Sequence, residues 1–332
     1  MSEPGAGPTL VPAPRARVAP LTRPPRFSVV ITAYEAAGTI AEAVGSALDQ
    51  EHPAHEVIVV DDGSKDGLAA ALEPFSERIR VLRKENGGGA SARNAGVAAC
   101  GGEFMAILDA DDRFHRGRLR ALADLAMARP DLDLITTDSL FVVDGKPVGR
   151  FGAENQFEVD DQPAAIFGSC FLGGWPAVRL APLRALGGFD EEMRIAYDWD
   201  CWLRLLLAGS LAGLADEPLY DYVLRPGSLA SSRVASLWER VKLLEKAAAT
   251  HSLSGRHRDL LEAAIRRRRD EAVREEIGAM LAGEADRARL RKLIGLGGVR
   301  ARQRGLAALA LAAPPLARRL APTRAAAQKR FA

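Results

Sequence analysis

The sequence predicts an α/β fold with a mostly parallel central sheet covered by helices on both faces. Three observations carry this expectation. From residue 27 to about residue 140, short apolar runs alternate with helical segments joined by short loops. The runs are continuously apolar rather than alternating, which is the form of strands buried on both faces. Acidic and polar residues stand at their carboxyl ends, where sheets of this kind bind ligands.

The elements follow in order. Residues 1–25 are rich in Pro, Ala, Gly and Arg without periodicity and are expected to be disordered. "RFSVVITAY" (26–34) is the first strand. "TIAEAVGSALDQ" (39–50) is a helix, with Ile40, Ala43, Ala47 and Leu48 at helical spacing. "HEVIVVDDGS" (55–64) is a second strand ending in carboxylates, and "LAAALEPF" (68–75) gives a helical turn or two. "RIRVLRKE" (78–85) is a third strand, "GGASARNAGVAAC" (88–100) a glycine-started helix, and "EFMAILDADD" (103–112) a fourth strand. "LDLITTDS" (132–139) is a fifth strand. It is followed by a hairpin over "LFVVDGKPVGRF" (140–151), with Asp144–Gly145 at the turn. Further on, Trp199, Trp202, Leu203 and Leu206 lie at i, i+3, i+4 and i+7 of a helix, with Asp198 and Asp200 at its positive end. From about residue 234 to the end the chain reads as successive helices rich in Ala, Leu and Arg.

Composition narrows the class. Of 332 residues, 48% are hydrophobic and 27% charged, which is ordinary for a soluble globular protein. The net charge of +2 hides an asymmetry. Residues 281–332 carry twelve Arg and Lys against Glu284 and Asp286, leaving an acidic body with a basic tail. Cys100, Cys170 and Cys201 have no paired spacing, which argues against a disulfide framework or a zinc site. No apolar leader and no run of 18 apolar residues is visible, so the expected location is cytoplasmic, with the tail as a peripheral contact on the inner membrane face.

Three constellations point to chemistry. Asp109, Asp111 and Asp112 end a buried strand, where like charges repel. Hard carboxylate oxygens suit Mg²⁺ or Mn²⁺, which also take phosphate oxygens. The bland alternative is a solvated loop with Asp112 capping the next helix. Asp61 and Asp62, before Gly63–Ser64, are either a turn or a carboxylate that recognises a base or ribose. In Tyr197–Asp200, capping competes with a general base that takes a proton from an attacking hydroxyl. The loop Gly87–Ala92 has the spacing of a dinucleotide-binding fingerprint, but it follows the third strand rather than the first. Arg93 behind it could pair with a phosphate.

Taken together, "SVVITAYEA", "VIVVDDGSKDG", "NGGGASARNAG", "GGEFMAILDADD", "GGFDEE" and "YDWDCWLRL" resemble, in order and spacing, the family 2 glycosyltransferases, which are inverting enzymes of GT-A fold. The resemblance covers roughly residues 27–232. It implies a catalytic domain over 26–232, with a nucleotide-binding half at 26–112 and an acceptor half at 113–232, followed by a helical, basic region at 233–332. By position it implies that Thr32, Tyr34 and Asp62 frame the nucleobase, with Glu35 standing where the family often has Asn. It implies Arg93 near the base or pyrophosphate, Asp109 at the ribose or a metal-bound water, Asp111 on a Mg²⁺ or Mn²⁺ ion, and Asp198 as the base. Tyr197 departs from the Glu often found before that aspartate.

The implied reaction moves a sugar from a UDP- or dTDP-linked donor to a hydroxyl of a glycan, lipid-linked or small-molecule acceptor in cell-envelope polysaccharide synthesis. The competing expectation is a non-catalytic nucleotide-sugar-binding or scaffold relative. Nucleic acid is not an expected partner, because the basic tail lacks interleaved aromatic residues for base stacking.

Overall fold

Strand β1 (Phe27–Ala33) is buried along its whole length apart from Thr32. Its two neighbours, β2 (Glu56–Asp61) and β4 (Phe104–Asp109), run parallel to it, and β3 (Arg80–Arg83) adds to β2, also parallel. The computed structural model describes residues 21–158, 160–225, 233–253, 255–282, 301–313 and 315–317, with 291, 294 and 295. The chain separates into two compact units, Met1–Ser228 and Leu229–Ala332.

In the first unit, alternate side chains of the parallel strands serve opposite faces. Val29, Ile31, Val57, Val59, Ala106 and Leu108 join one core with α1 (Ile40–Leu48) and α4 (Arg118–Ala128). Each large aliphatic side chain so buried stabilises the fold by about 1.5–3 kcal/mol. On the other face α3 (Gly89–Ala99) approaches so closely that a Cβ on Gly96 would lie 2.5 Å from Val30 Cγ1. Between these lie α2 (Leu68–Leu72), which leads into a 3₁₀ turn, and the two-residue β5 (Arg113–Phe114).

The second half of the sheet is mixed rather than parallel. The hairpin expected after residue 140 belongs to one long strand, β6 (Leu134–Val143), which turns at Asp144–Gly145 into β7 (Lys146–Arg150). Short helices α5 (Phe151–Glu154) and α6 (Gln162–Gly168) precede β8 (Ala177–Arg179). Strand β8 runs antiparallel between β4 and the start of β6. Helices α7 (Leu180–Ala185) and α8 (Tyr197–Leu207) follow, then β9 (Ala212–Val223), parallel to β6 and antiparallel to β5. The order is β3-β2-β1-β4-β8-β6-β9-β5, with β7 on β6 beyond β8. Trp199, Trp202, Leu203 and Leu206 of α8 are all buried, as their spacing predicts.

One buried cation ties the mixed half together. The Arg118 guanidinium lies between the rings of Phe114 and Tyr220, 4.8 and 4.9 Å from their centroids. It donates to Thr137 Oγ1 and, at 2.6 Å, to the Trp175 carbonyl.

Residues 1–20 of the segment expected to be disordered lie outside the described residues. The remainder differs from that expectation. Leu21 packs against the main core, and Arg23 and the Arg26 amide bind the Glu103 carboxylate. In the second unit, α9 (Arg233–Thr250) and α10 (Gly255–Leu281) pair, and α11 (Ala301–Ala312) lays Ala307 and Ala310 against Val273 and Ile277 of α10. The apolar side of residues 301–312 is therefore occupied by protein, while 283–290 and 318–332 lie outside the described residues.

Candidate active site

The site lies at the carboxyl ends of β1, β2 and β4, which end level with one another: Thr32 is in register with Asp109, and Ala33 with Asp61. Just past β1, Tyr34 leaves 56% of its surface open, an uncovered aromatic face at the rim. Glu35 has φ of 52°, a left-handed position that suits Asn better than Glu. Its amide donates to Ser64 Oγ at 3.0 Å, and its carboxylate accepts from the Lys65 amide at 2.9 Å. It thereby ties the exit of β1 to the turn after β2.

Asp61 closes that turn by accepting from the Ser64 amide at 2.8 Å. Asp62 is buried and has both oxygens engaged. It accepts from the Gly87 amide at 3.0 Å, the Gly88 amide at 2.7 Å and Lys84 Nζ at 2.8 Å. Asp62 thus anchors the glycine loop that opens α3. The following residue, Gly89, meets Tyr197 of α8: a Cβ there would lie 2.4 Å from the phenol oxygen.

Arg93, on α3, is 1% exposed and is the centre of the site. Its Nη2 donates to Asp109 Oδ1 at 3.0 Å, and its guanidinium stands 4.9 Å from the Tyr197 ring centroid and 5.6 Å from that of Phe189. Nε and Nη1 have no hydrogen-bond partner among the described residues. Burial opposes its charge, but Tyr197, Asp109 and Asp198 outweigh burial and raise its pKa.

The three aspartates after β4 go separate ways. Asp109 pairs with Arg93. Asp111 keeps 42% of its side chain exposed, with Arg225 Nε 4.0 Å away. Burial, then the Asp109 charge, raises its pKa. Asp112 turns inward, accepting from the Tyr220 hydroxyl at 2.7 Å and the Val223 amide at 2.8 Å. It braces β9 and does not cap α4, whose N-cap is Gly117. Among the described residues, no group of three or more His, Cys, Asp or Glu is placed to hold a metal ion. The donor set is instead one open carboxylate, Asp111, crowded by Asp109. That suits a hard cation which draws its other ligands from water and a substrate diphosphate.

From the far side, α8 brings Asp198, half-buried, with Oδ1 accepting from the Trp199 amide at 2.7 Å. Burial raises its pKa, and Arg93 and the Trp199 amide oppose that rise. Asp200, two residues on, is buried and paired with Arg204 at 2.7 Å. Tyr222 of β9 has no counterpart in the sequence reading. Its half-buried phenol feels, after burial, the charges of Asp112, Asp109, Asp111 and Asp198, all of which raise its pKa. Its ring rests 5.5 Å from Trp175, which stacks on Tyr220 at 5.0 Å.

Residues 28–153 match the profile of the family described as "Glycosyl transferase family 2". Putative teichuronic acid biosynthesis glycosyltransferase TuaG of Bacillus subtilis (strain 168) is 31% identical over 223 residues, which cover 66% of this chain and 85% of that protein. The chain belongs to glycosyltransferase family 2. The succinoglycan biosynthesis protein ExoU of Rhizobium meliloti (strain 1021) is 32% identical over 227 residues, covering 63% of this glycosyltransferase and 65% of ExoU. The chain spans 61% of a more distant relative, the uncharacterized glycosyltransferase RT0329 of Rickettsia typhi.

Solved structures share the GT-A fold. S. aureus TarS 1-349 in complex with UDP-GlcNAc superposes with a TM-score of 0.67 at 22% identity, over 89% of each chain. Mannosyltransferase PcManGT from Pyrobaculum calidifontis, in complex with GDP-Man and Mn²⁺, gives 0.59 at 22% identity, over 92% of this glycosyltransferase and 89% of that chain.

Proposed function

We propose that this glycosyltransferase is an inverting enzyme. It moves a sugar from a UDP- or dTDP-linked donor to a hydroxyl of a glycan, lipid-linked or small-molecule acceptor by direct displacement. One observation supports the reading: Asp109, at the end of β4, pairs with the buried Arg93, whose charge is also favoured by Asp198 of α8. Names of relatives in teichuronic acid and succinoglycan synthesis support a cell-envelope polysaccharide as the product class.

In this reading Asp198 accepts the proton of the attacking hydroxyl as its oxygen bonds to the anomeric carbon, and the nucleoside diphosphate leaves from the opposite face. Thr32, Tyr34 and Glu35 border the nucleobase, and Asp62 shapes that border through the glycine loop it anchors. The two unpartnered nitrogens of Arg93 supply donors for the base or pyrophosphate. Asp109 faces the ribose, and Asp111 holds Mg²⁺ or Mn²⁺. When bound, the ion supplies Lewis-acid stabilisation of charge on the departing diphosphate. No helix among the described residues is long and apolar enough to cross a membrane. The basic tail is therefore read as a charge-based, peripheral contact with anionic headgroups.

Hydrolysis of a panel of nucleotide sugars, with and without Mn²⁺, tests the reading. One UDP- or dTDP-sugar turned over only with the ion, releasing a sugar of inverted anomeric configuration by NMR, is the expected result. Turnover indifferent to the ion, or a retained anomer, overturns it.

A further inference from the structure

Gly174, in the loop between α6 and β8, is a glycine that no left-handed backbone requires and that meets one side chain in particular. Its φ lies outside the left-handed region that favours glycine. Among the described residues, and apart from its chain neighbours, a Cβ built there would meet one side chain within 4 Å. Asp198 Oδ2 would lie 2.9 Å away and Asp198 Cγ 4.0 Å away.

The preceding glycine is different in kind. Gly173 has φ of +67°, and a Cβ there would press 2.6 Å from the Trp175 ring. Its carbonyl accepts from Trp202 Nε1 at 2.9 Å, so Gly173 belongs to the fold.

Exposure points the same way. From Phe171 to Val178 every residue is buried except Gly174. Asp198 is partly open to solvent, its Oδ1 is held by the Trp199 amide, and the Arg93 charge acts on it. Gly174 is thus the one open residue of this stretch, and it lies beside Oδ2.

We propose that Gly174 is a positioning residue that keeps Oδ2 of Asp198 clear for the acceptor hydroxyl, the missing side chain being the opening through which the acceptor arrives. A methyl group there has two places to go. It stays and occupies the approach to Oδ2, or it turns the carboxylate off the Trp199 amide. A misplacement of about 1 Å costs on the order of 10²-fold in rate.

The inference rests on Asp198 being the base, and the test separates the two ideas. The intact chain and its Gly174→Ala variant are treated with a water-soluble carbodiimide and glycine ethyl ester, and labelled carboxylates are located by mass spectrometry. Labelling of Asp198 is expected to fall several-fold in Gly174→Ala while that of the exposed Asp111 is unchanged, with a melting temperature near that of the unsubstituted chain. Gly173→Ala, the comparison, is expected to lower the melting temperature. Equal labelling of Asp198 in both chains overturns the proposal. So does a Gly174→Ala melt as low as that of Gly173→Ala, which would assign Gly174 to the fold.

With the donor identified by hydrolysis, transfer by Gly174→Ala is expected to drop about 10²-fold with nucleoside diphosphate affinity unchanged by calorimetry. Full transfer by Gly174→Ala alongside a dead Asp198→Asn sinks the role of Gly174 alone. Full transfer by Asp198→Asn sinks the base assignment beneath it.

Discussion

Replacing Asp62 should loosen the glycine loop before it touches chemistry. The carboxylate is buried and accepts from two backbone amides and one ammonium. A hydrogen bond to a charged group contributes about 1.5–3 kcal/mol, so the two amides alone set a scale of roughly 3–6 kcal/mol. Gly87 and Gly88 are exposed and the Lys84 side chain is 26% exposed, so water recovers part of this when Asp62 is removed. The net cost of Asp62→Ala is then about 2–4 kcal/mol. At about 2–4 °C per kcal/mol for a unit of this size, the melting temperature falls by roughly 4–16 °C. Asp62→Asn keeps one acceptor oxygen and should lose about half as much. Circular dichroism melts measure both. An Asp62→Ala melting temperature equal to that of the parent would refute the anchoring role, since among the described residues no other side chain holds those two amides.

Three further outcomes follow from the same geometry. Asp111→Ala should abolish metal-dependent binding of nucleoside diphosphate in calorimetry while leaving the melt intact; unchanged metal dependence would remove Asp111 from the metal site. Because burial raises the Asp198 pKa in the free enzyme, a base needed in its ionised form fails on acidification at a pH above the ordinary carboxylate value of 3.8, so the acid limb of the kcat/KM profile should lie above that value; a limb at or below it contradicts the assignment. Co-sedimentation with anionic vesicles should be lost in high salt and in a chain ending at residue 282, because the apolar side of α11 is already packed; salt-resistant binding would show that apolar insertion dominates.

The first half of the fold was legible because its signals are local. Apolar runs such as Val29–Ile31, Val57–Val60 and Phe104–Leu108 are long enough to mark strands, and the aspartates that end the last two mark the edge where a ligand is expected. In the mixed half the signals fade. Strand β8 is three residues long, too short for a period, and β9 slips register opposite Thr137 and Asp138 and carries Pro218. Tyr222 rides on that strand, so its place among four carboxylates could not be read from the sequence. Nor could the divergence of Asp111 and Asp112. Adjacent and chemically identical in the sequence, they are parted only by the Tyr220 hydroxyl and Val223 amide, which reach Asp112 from more than a hundred residues away.

The proposed reaction turns on Asp198 as the base, with the donor held on the other side of Arg93. The most direct measurement is paired on one variant: transfer rate and nucleoside diphosphate affinity of Asp198→Asn, which keeps the shape and removes the basicity. Transfer is expected to fall by about 10²–10⁴-fold with affinity unchanged. Transfer at the parent rate, or affinity and transfer lost in equal measure, would contradict it.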